Sequence, residues 1–318
     1  MMVDLPSYGP ANRIRLGSFL RSRPLLLSYK GNDKLTDFQV KCILTSEDIP
    51  FEKLRPDKQD LLFIDNNNEI IPYWIEKVDS TEIIIWLKFS EIIPGRETFW
   101  LYYGNGNFAG ISDGEETFDF FDDFSGSAVD ESKWNNYIAE GYFSIHDSLL
   151  ELWPDIGNGA SARPSKFVSK KSFPPQDYVI RTKQKSENMG DVGHLAVFGW
   201  SSNNDGSDKD CYRVSFNPSG SRDWDISING VVAGSVRACA TCCDNQYNQN
   251  VFYIFELRNI GNTLKAFVDD VEKLSVSDDY YDDLTSCYVG VGDWNTVHFF
   301  WDWILLRKYN EIEPVIIT

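Results

Sequence analysis

The sequence predicts an all-β protein built from two sandwich domains. Its 318 residues suffice for roughly two domains of ordinary size, and its 42% hydrophobic and 25% charged content is typical of globular chains. Short runs with a period of two recur along the whole chain and are separated by turn-forming residues. Because no segment sustains a period of 3.6 residues, we expect few helices.

The charge of the chain excludes several classes of partner. The net charge is −18; residues 1–111 carry 13 basic and 15 acidic side chains, and the remainder carries 17 basic and 33 acidic ones. An acidic surface repels nucleic acids and anionic membranes, so we expect neither as a partner. We also expect no membrane insertion and no cleavable signal peptide, because no apolar run approaches about 18 residues and the first 24 residues lack a hydrophobic core.

Residues 1–25 are expected to form an N-terminal arm, because three prolines interrupt them and they are locally basic. Two interpretations stay open: a flexible tail, or a docking segment that becomes ordered on an acidic partner. In the second interpretation the assembly contacts come from Arg13, Arg15, Arg21 and Arg23.

Residues 26–110 are predicted to form a small β-sandwich. Phe38, Val40, Cys42 and Leu44 alternate with polar residues, which is the pattern of a half-buried strand. Further strands are predicted at 61–65, 70–78, 82–89 and 98–104.

A short linker at 111–116 is expected to lead into a second sandwich at 117–310, followed by a tail at 311–318. In the second part, Trp224, Ile226 and Ile228 alternate with polar residues, and Asn229-Gly230 is typical of a hairpin turn. Other strands are predicted at 251–258, 262–269, 287–292 and 297–309, with a hairpin at Asp269-Asp270. So many antiparallel strands favour a large jelly roll.

The six cysteines do not form a convincing metal motif. Cys239, Cys242 and Cys243 are the only cluster, and the three histidines are scattered along the sequence. We therefore favour a loop disulfide or free thiols over zinc.

Four stretches of the sequence carry a resemblance to two known families. Ile71-Pro72-Tyr73-Trp74-Ile75-Glu76 and Trp100-Leu101-Tyr102-Tyr103-Gly104-Asn105 resemble a β-module of unknown function within residues 26–107. Phe121-Asp122-Asp123-Phe124-Ser125-Gly126 and Asp302-Trp303-Ile304-Leu305-Leu306-Arg307-Lys308-Tyr309 resemble the first and last strands of a concanavalin A-like lectin/glucanase (laminin G-like) domain. The resemblance implies a concanavalin A-like jelly-roll sandwich, a fold that hosts lectins, glycosidases, lyases and structural modules.

The glucanase branch of that family carries a Glu-x-Asp-x-Glu strand, and the equivalent strand here is Cys211-Tyr212-Arg213-Val214-Ser215-Phe216. The groove positions then hold Cys211, Arg213 and Ser215, so the resemblance implies that the two-carboxylate mechanism is absent. Asp223 and Asp225 are an acid pair at the strand period, which is either a solvated strand edge or a non-standard catalytic pair.

The resemblance also implies one structural calcium ion. Carried across position by position, its ligands are Asp123, the carbonyl of Ser148 and Asp302. Asp302 lies between two tryptophans, where an unpaired carboxylate would be costly, but a basic partner or exposure explains it equally well.

Aromatic side chains with polar neighbours are candidates for sugar binding, because an aromatic ring stacks on a pyranose and amides reach its hydroxyls. Packing within a core or at a sheet edge is the alternative for each aromatic residue. The candidates are Trp200 with Asn203 and Asp205, Trp294 with Asn295, and Tyr280.

From these observations we expect a non-enzymatic, glycan-binding adhesion and display protein. Its partners would be a cell-surface or extracellular glycan and the protein subunits of a larger assembly, such as a virion spike, fibre or capsid decoration. Its location would be a virion or cell surface. Two alternatives stay open: a glycoside hydrolase or polysaccharide lyase that uses the acid pair, and a purely structural assembly subunit.

Overall fold

A computed structural model describes most of the chain and confirms the all-β fold. The described residues are 2–4, 13–138, 141–154, 165–174, 177–187, 195–201, 211–216, 224–229, 236–242, 248, 250–277, 286–294 and 298–318. None of the helices in these ranges has the length and apolar content needed to cross a membrane.

The chain divides into two compact units. The first comprises Met1–Asp119 together with Asn310–Thr318, and the second comprises Phe120–Tyr309. The second unit is therefore inserted, in sequence, into the first.

The first unit is a small sandwich of a three-stranded and a four-stranded sheet. Its strands up to the insertion are β1 (Met2–Asp4), β2 (Arg13–Arg15), β3 (Arg21–Tyr29), β4 (Leu35–Thr45), β5 (Leu61–Ile64), β6 (Tyr73–Val78), β7 (Glu82–Ile92) and β8 (Gly95–Tyr103). Two 3-10 helices lie at Leu16–Ser18 and Phe51–Lys53, and the helix α1 lies at Gly114–Thr117. One sheet has the order β4-β7-β6, and β3-β8-β5 belong to the other.

The core of this sandwich lies between the two sheets. Phe38, Val40, Cys42 and Leu44 are all buried in it, as the period-two pattern predicts. Gln39, on the opposite face of β4, is also buried. Its amide donates to the backbone carbonyl of Thr117 at 3.0 Å, so burial does not leave the amide N–H group unpaired.

Residues 13–23 differ from the expected arm. The segment from Ile14 to Phe19 packs its apolar side chains against the first sandwich, and Arg21 already begins β3. Arg23 donates to the backbone carbonyl of Asp48, and its guanidinium lies 3.7 Å from the Asp48 carboxylate. Arg15 is exposed, and docking by this segment stays a prediction.

The expected linker and tail also contain regular structure. Asp113 caps α1 by accepting from the backbone N–H groups of Glu115 and Glu116. The last strand, β24 (Val315–Ile317), pairs antiparallel with β3, so the four-stranded sheet has the order β24-β3-β8-β5. Residues near both ends of the chain therefore complete the same sheet.

The second unit is a sandwich of two large antiparallel sheets. Its strands are β9 (Phe120–Asp122), β10 (Trp134–Ile138), β11 (Gly141–His146), β12 (Leu149–Pro154), β13 (Ser165–Phe173), β14 (Tyr178–Ser186), β15 (Leu195–Ser201), β16 (Cys211–Phe216), β17 (Trp224–Asn229), β18 (Val236–Cys242), β19 (Tyr253–Ile260), β20 (Thr263–Val268), β21 (Val271–Ser277), β22 (Cys287–Trp294) and β23 (Phe299–Lys308). The seven-stranded sheet has the order β10-β13-β22-β15-β16-β17-β18. The eight-stranded sheet has the order β11-β12-β23-β14-β19-β20-β21, and β9 pairs with β23. This is the predicted jelly-roll sandwich.

Aromatic and aliphatic residues from both sheets form its core. Trp134 packs edge-to-face against Phe120 and Phe167, and Trp301 is completely buried. The predicted hairpin at Asp269-Asp270 joins β20 to β21, and both residues have positive φ, as a tight type I′ turn requires. The predicted Asn229-Gly230 turn lies partly outside the described residues.

Candidate functional site

The seven-stranded sheet has one face in the core of the second sandwich and one face away from it. On β22, Val289 and Val291 belong to the core, whereas Tyr288 and Gly290 are partly exposed. Directly paired residues of an antiparallel sheet lie on the same face, so the strand register identifies the faces of the neighbouring strands. We call the face that carries Tyr288 and Gly290 the outer face.

Strand β16 lies next to β15 in this sheet, and its register places three candidate positions on the outer face. Gly199 of β15 pairs with Gly290 on one side and with Arg213 of β16 on the other. Arg213 is therefore an outer-face position, and so, at a period of two, are Cys211 and Ser215. None of the three is an acid.

An acidic residue occupies the next strand on the same face. Asp225 of β17 pairs directly with Ser215 of β16 and with Thr241 of β18. The seven strands of this sheet contain only two acidic residues, and the other, Asp293, pairs with Ala196 and has the core-facing parity of β22. Asp225 is thus the single acidic outer-face position in the described strands of this sheet.

The position of Asp225 is next to that of Ser215. The Cβ atoms of directly paired residues on one face of an antiparallel sheet are about 4.5–5.5 Å apart. The sequence pointed to Asp225 only as half of a pair with Asp223. Asp223 lies outside the described residues, and the pair stays a prediction.

The six sugar-binding candidates are not brought together by the described structure. Trp200 lies within β15 rather than in a loop, and it pairs with the buried Val289, so it has a core-face register. Trp294 is the last residue of β22 and pairs with Leu195. Four candidates lie outside the described residues: Asn203, Asp205, Tyr280 and Asn295. Their role stays a prediction.

The predicted calcium ligands have other partners. Asp302 forms an ion pair with Lys183, and an oxygen of the Asp123 carboxylate accepts from the backbone N–H of Ser125 at 3.1 Å. Ser148 lies in the β11–β12 hairpin with φ of 58°, so its carbonyl sits in a left-handed turn. The ammonium group of Lys183 neutralises Asp302 in this arrangement, and calcium binding at these positions stays a prediction. No group of three or more metal-ligating His, Cys, Asp or Glu side chains occurs in the described parts of the chain.

Two histidines that are far apart in the sequence meet at one glutamate. Glu151 on β12 lies 3.6 Å from His146 and 3.8 Å from His298, and His298 lies 3.0 Å from Glu187. Local sequence patterns do not predict this cluster, since it depends on the register of β12 with β11 and β23. A predicted β11–β12 hairpin would have brought His146 close to Glu151, but it could not have placed His298.

The first sandwich contains a cavity of ≈ 560 Å³. Leu27, Phe89 and Phe99 contribute apolar surface to its lining, and Lys88 is its one basic lining residue. Its acidic lining residues are Asp37, Asp65, Glu69, Glu91, Glu97 and Glu116. The lining therefore favours positively charged over negatively charged molecules.

One family and several solved structures are similar to this chain. Residues 57–137 match a family described as a domain of unknown function (DUF2341), a match that begins before β5 and runs into β10. No curated protein matches the chain in sequence.

The similar solved structures are concanavalin A-like jelly-roll glucanases. The endo-β-1,3-glucanase of Pyrococcus furiosus is 12% identical with a TM-score of 0.47, and the match covers 61% of this chain and 94% of that one. The β-glucanase of Bacillus licheniformis is 12% identical with a TM-score of 0.47, covering 59% and 97%. The catalytic domain of an endo-1,3-β-glucanase (laminarinase) from Thermotoga petrophila is 11% identical with a TM-score of 0.47, covering 61% and 98%.

These comparisons contradict our expectation of a non-enzymatic glycan-binding and display protein. The three structures named above are glucanases, and this finding overturns the prediction that the chain is not an enzyme. The expectation rested on the missing acids of one strand and kept the acid pair Asp223 and Asp225 only as an alternative. At this level of identity the likenesses concern the fold, so the activity has to be argued from the chain's own residues.

Proposed function

We propose that the second sandwich is a glycan-cleaving enzyme, a glycoside hydrolase or polysaccharide lyase, whose substrate lies across the outer face of the seven-stranded sheet. The observation that carries this proposal is the register that pairs Asp225 with Ser215. It puts an acidic residue on the face, and next to the strand, where glucanases of this fold hold their catalytic acids.

In a hydrolase, the carboxyl group of Asp225 protonates the glycosidic oxygen as the bond to the anomeric carbon breaks. A second carboxylate, for which Asp223 is the candidate, either activates the water molecule that attacks the anomeric carbon or attacks that carbon itself. In the second case water then hydrolyses the glycosyl-enzyme bond. In a lyase, the Asp225 carboxylate instead takes the C5 proton of a uronate, and the C4–O bond breaks as a C4=C5 double bond forms. The leaving oxygen takes a proton from water, and the guanidinium of Arg213 neutralises the uronate carboxylate.

Two readouts on a broad polysaccharide panel test the proposal. Release of reducing ends without absorbance near 235 nm indicates hydrolysis, and release together with that absorbance indicates an unsaturated lyase product. We expect product from at least one polysaccharide with the full chain, and unchanged product from Asp302→Asn, which lies on the other sheet. A panel without any product contradicts the proposal and leaves the purely structural alternative.

Three further expectations belong to this proposal. The partner is an extracellular or cell-surface glycan, now as a substrate, and the location is a cell or virion surface. The third expectation concerns calcium.

A calcium ion at Asp123, the Ser148 carbonyl and Asp302 would have to displace Lys183 from Asp302. Added calcium should then raise the Tm of the wild-type chain but not that of Asp302→Asn; equal shifts in both would exclude this ligand set.

A further inference from the structure

Within the described part of the second sandwich, Arg307 buries an Nε without a hydrogen-bond partner but donates through Nη1, whereas two other side chains have no partner for any of their polar atoms. They are the amide of Gln184, of which neither Oε1 nor Nε2 has a hydrogen-bond partner, and the indole of Trp301, whose Nε1 has none. Gln184 is 2% exposed and Trp301 is 0% exposed. Both side chains are therefore buried.

These two side chains lie on neighbouring strands. Gln184 of β14 pairs in register with Trp301 of β23 on one side and with Tyr253 of β19 on the other. The pairing of β14 with β23 shifts between Lys183 and Gln184, an irregularity of the β-bulge type. Such irregularities redirect side chains relative to the regular alternation of a strand. The amide and the indole thus occupy adjacent register positions at an interruption of the ladder.

Unsatisfied groups of this kind are rare. Buried polar atoms in native proteins have a hydrogen-bond partner in the large majority of cases, because an unpaired one loses its hydration without compensation. Here two donors and one acceptor, on two residues, are buried together. Because the two residues are directly paired across neighbouring strands, one shared hydrogen-bond partner is favoured over three separately unpaired atoms.

A small pocket reaches Gln184. It is lined by Gln184 together with Ser186, Tyr253 and Asn248, which carry polar groups, and by apolar side chains such as Val251. Asn248 and Val251 are exposed, so the pocket communicates with solvent at that end. Its volume of ≈ 10 Å³ is at the lower limit for one water molecule, so it excludes larger ligands.

We propose that Gln184 and Trp301 form an interior hydration site that holds at least one ordered water molecule. The water accepts a hydrogen bond from the Trp301 indole N–H and one from the Gln184 amide N–H, and a water O–H donates to Gln184 Oε1. An apolar ligand cannot do this, since it leaves all three groups unsatisfied. The site is independent of the proposed glycan-cleaving function.

A stability measurement tests the site through the sign of its result. Gln184→Leu replaces the amide-bearing side chain by an apolar side chain of similar size. If water satisfies the amide, the variant loses hydrogen bonds and its Tm falls; if the amide is dry, the variant removes an unsatisfied group and its Tm rises. Gln39→Leu is the matched control, because the Gln39 amide is buried in the first sandwich and bonded to a backbone carbonyl. We expect a lower Tm for both variants.

A direct measurement on the wild-type chain covers the case in which Gln184→Leu does not fold. In protein labelled with 15N-tryptophan, the indole signal of Trp301 is assigned by its loss in Trp301→Phe. We expect a cross-relaxation peak between this indole hydrogen and water that has the sign of a long-lived bound water molecule. Either a rise of Tm in Gln184→Leu or the absence of this peak overturns the proposal.

Discussion

Arg181 and Glu256 form an ion pair in the interior of the second unit, with Arg181 Nη1 2.9 Å from Glu256 Oε2 and only 2% of each side chain exposed. The two residues pair directly across β14 and β19. Burial alone would raise the pKa of the Glu256 carboxyl, but the guanidinium groups of Arg181, Arg307 and Arg258 outweigh burial and hold that pKa below its usual value. The carboxylate is therefore charged in the folded protein.

Glu256→Gln should lower the free energy of unfolding by about 3 kcal/mol at pH 7, because it leaves a buried guanidinium cluster without its central carboxylate. Because the folded pKa is depressed, this contribution is complete above the usual value of 4.5 and is lost as the pH falls through the lower folded pKa. Urea unfolding measures the loss.

Glu272→Gln is the control for that prediction. Glu272 pairs with Lys265 at 3.0 Å, but both side chains are substantially exposed, so its loss should cost less than about 1 kcal/mol. Equal losses from the two variants would show that burial of the Glu256 pair does not determine its contribution.

Asp122 should make the stability of the chain increase toward acid pH. Its carboxylate accepts from the Trp134 indole N–H and from the Phe124 backbone N–H, yet burial raises its pKa above the usual value of 3.8. Since the native state then binds a proton more readily than the unfolded state, the free energy of unfolding rises as the pH falls through the folded pKa. Relative to Asp122→Asn, the wild-type chain should gain stability between pH 7 and pH 4.

Asp130 supplies a control of the opposite sign. It is exposed, and hydrogen bonds from the Ser132 hydroxyl and backbone N–H lower the pKa of its carboxyl. Its contribution is present above 3.8 and is lost as the pH falls through the lower folded pKa. Wild type should therefore lose stability relative to Asp130→Asn at acid pH, and the same trend in both variants would contradict the assignment.

Ser148→Gly should stabilise the second unit by about 0.5–1 kcal/mol. Ser148 has φ of 58° in the β11–β12 hairpin, a conformation that glycine adopts without the steric cost of a Cβ atom. Thermal unfolding measures the gain. Ser275→Gly, in the regular strand β21, should have the opposite effect, since glycine weakens the interior of a strand.

The last strand should contribute to the stability of the first sandwich. Ile316 of β24 packs on its core, whereas Ile317 is 47% exposed. Ile316→Ala should cost about 1–2 kcal/mol as a partly buried side chain, and Ile317→Ala should stay within about 0.5 kcal/mol. If both variants unfold like wild type, the packing of β24 does not contribute to the stability of the first sandwich.

Much of the fold follows from local patterns in the sequence. The alternation from Phe38 to Leu44 predicts β4 because a strand with one buried face has a period of two. Positive φ at both Asp269 and Asp270 matches the predicted hairpin, since aspartate tolerates that conformation. These features depend on neighbouring residues alone.

The missed features depend on distant parts of the chain. Residues 315–317 form a strand only because β3 offers its edge, and the meeting of His298 with Glu151 depends on three strands. The position of Asp225 depends on distant residues for the same reason: the sequence shows an acid within a predicted strand, and only the register shows that it shares a face with Arg213 and Ser215. Pairing between strands is not encoded in local periodicity.

The activity of Asp225→Asn tests the central claim most directly. On the polysaccharide that gives the most product, kcat/KM of this variant should fall at least about 100-fold, the usual contribution of a general acid or base, with an unfolding curve close to that of wild type. If the folded variant keeps kcat/KM within about twofold of wild type, Asp225 does not act in catalysis and the proposed site is wrong.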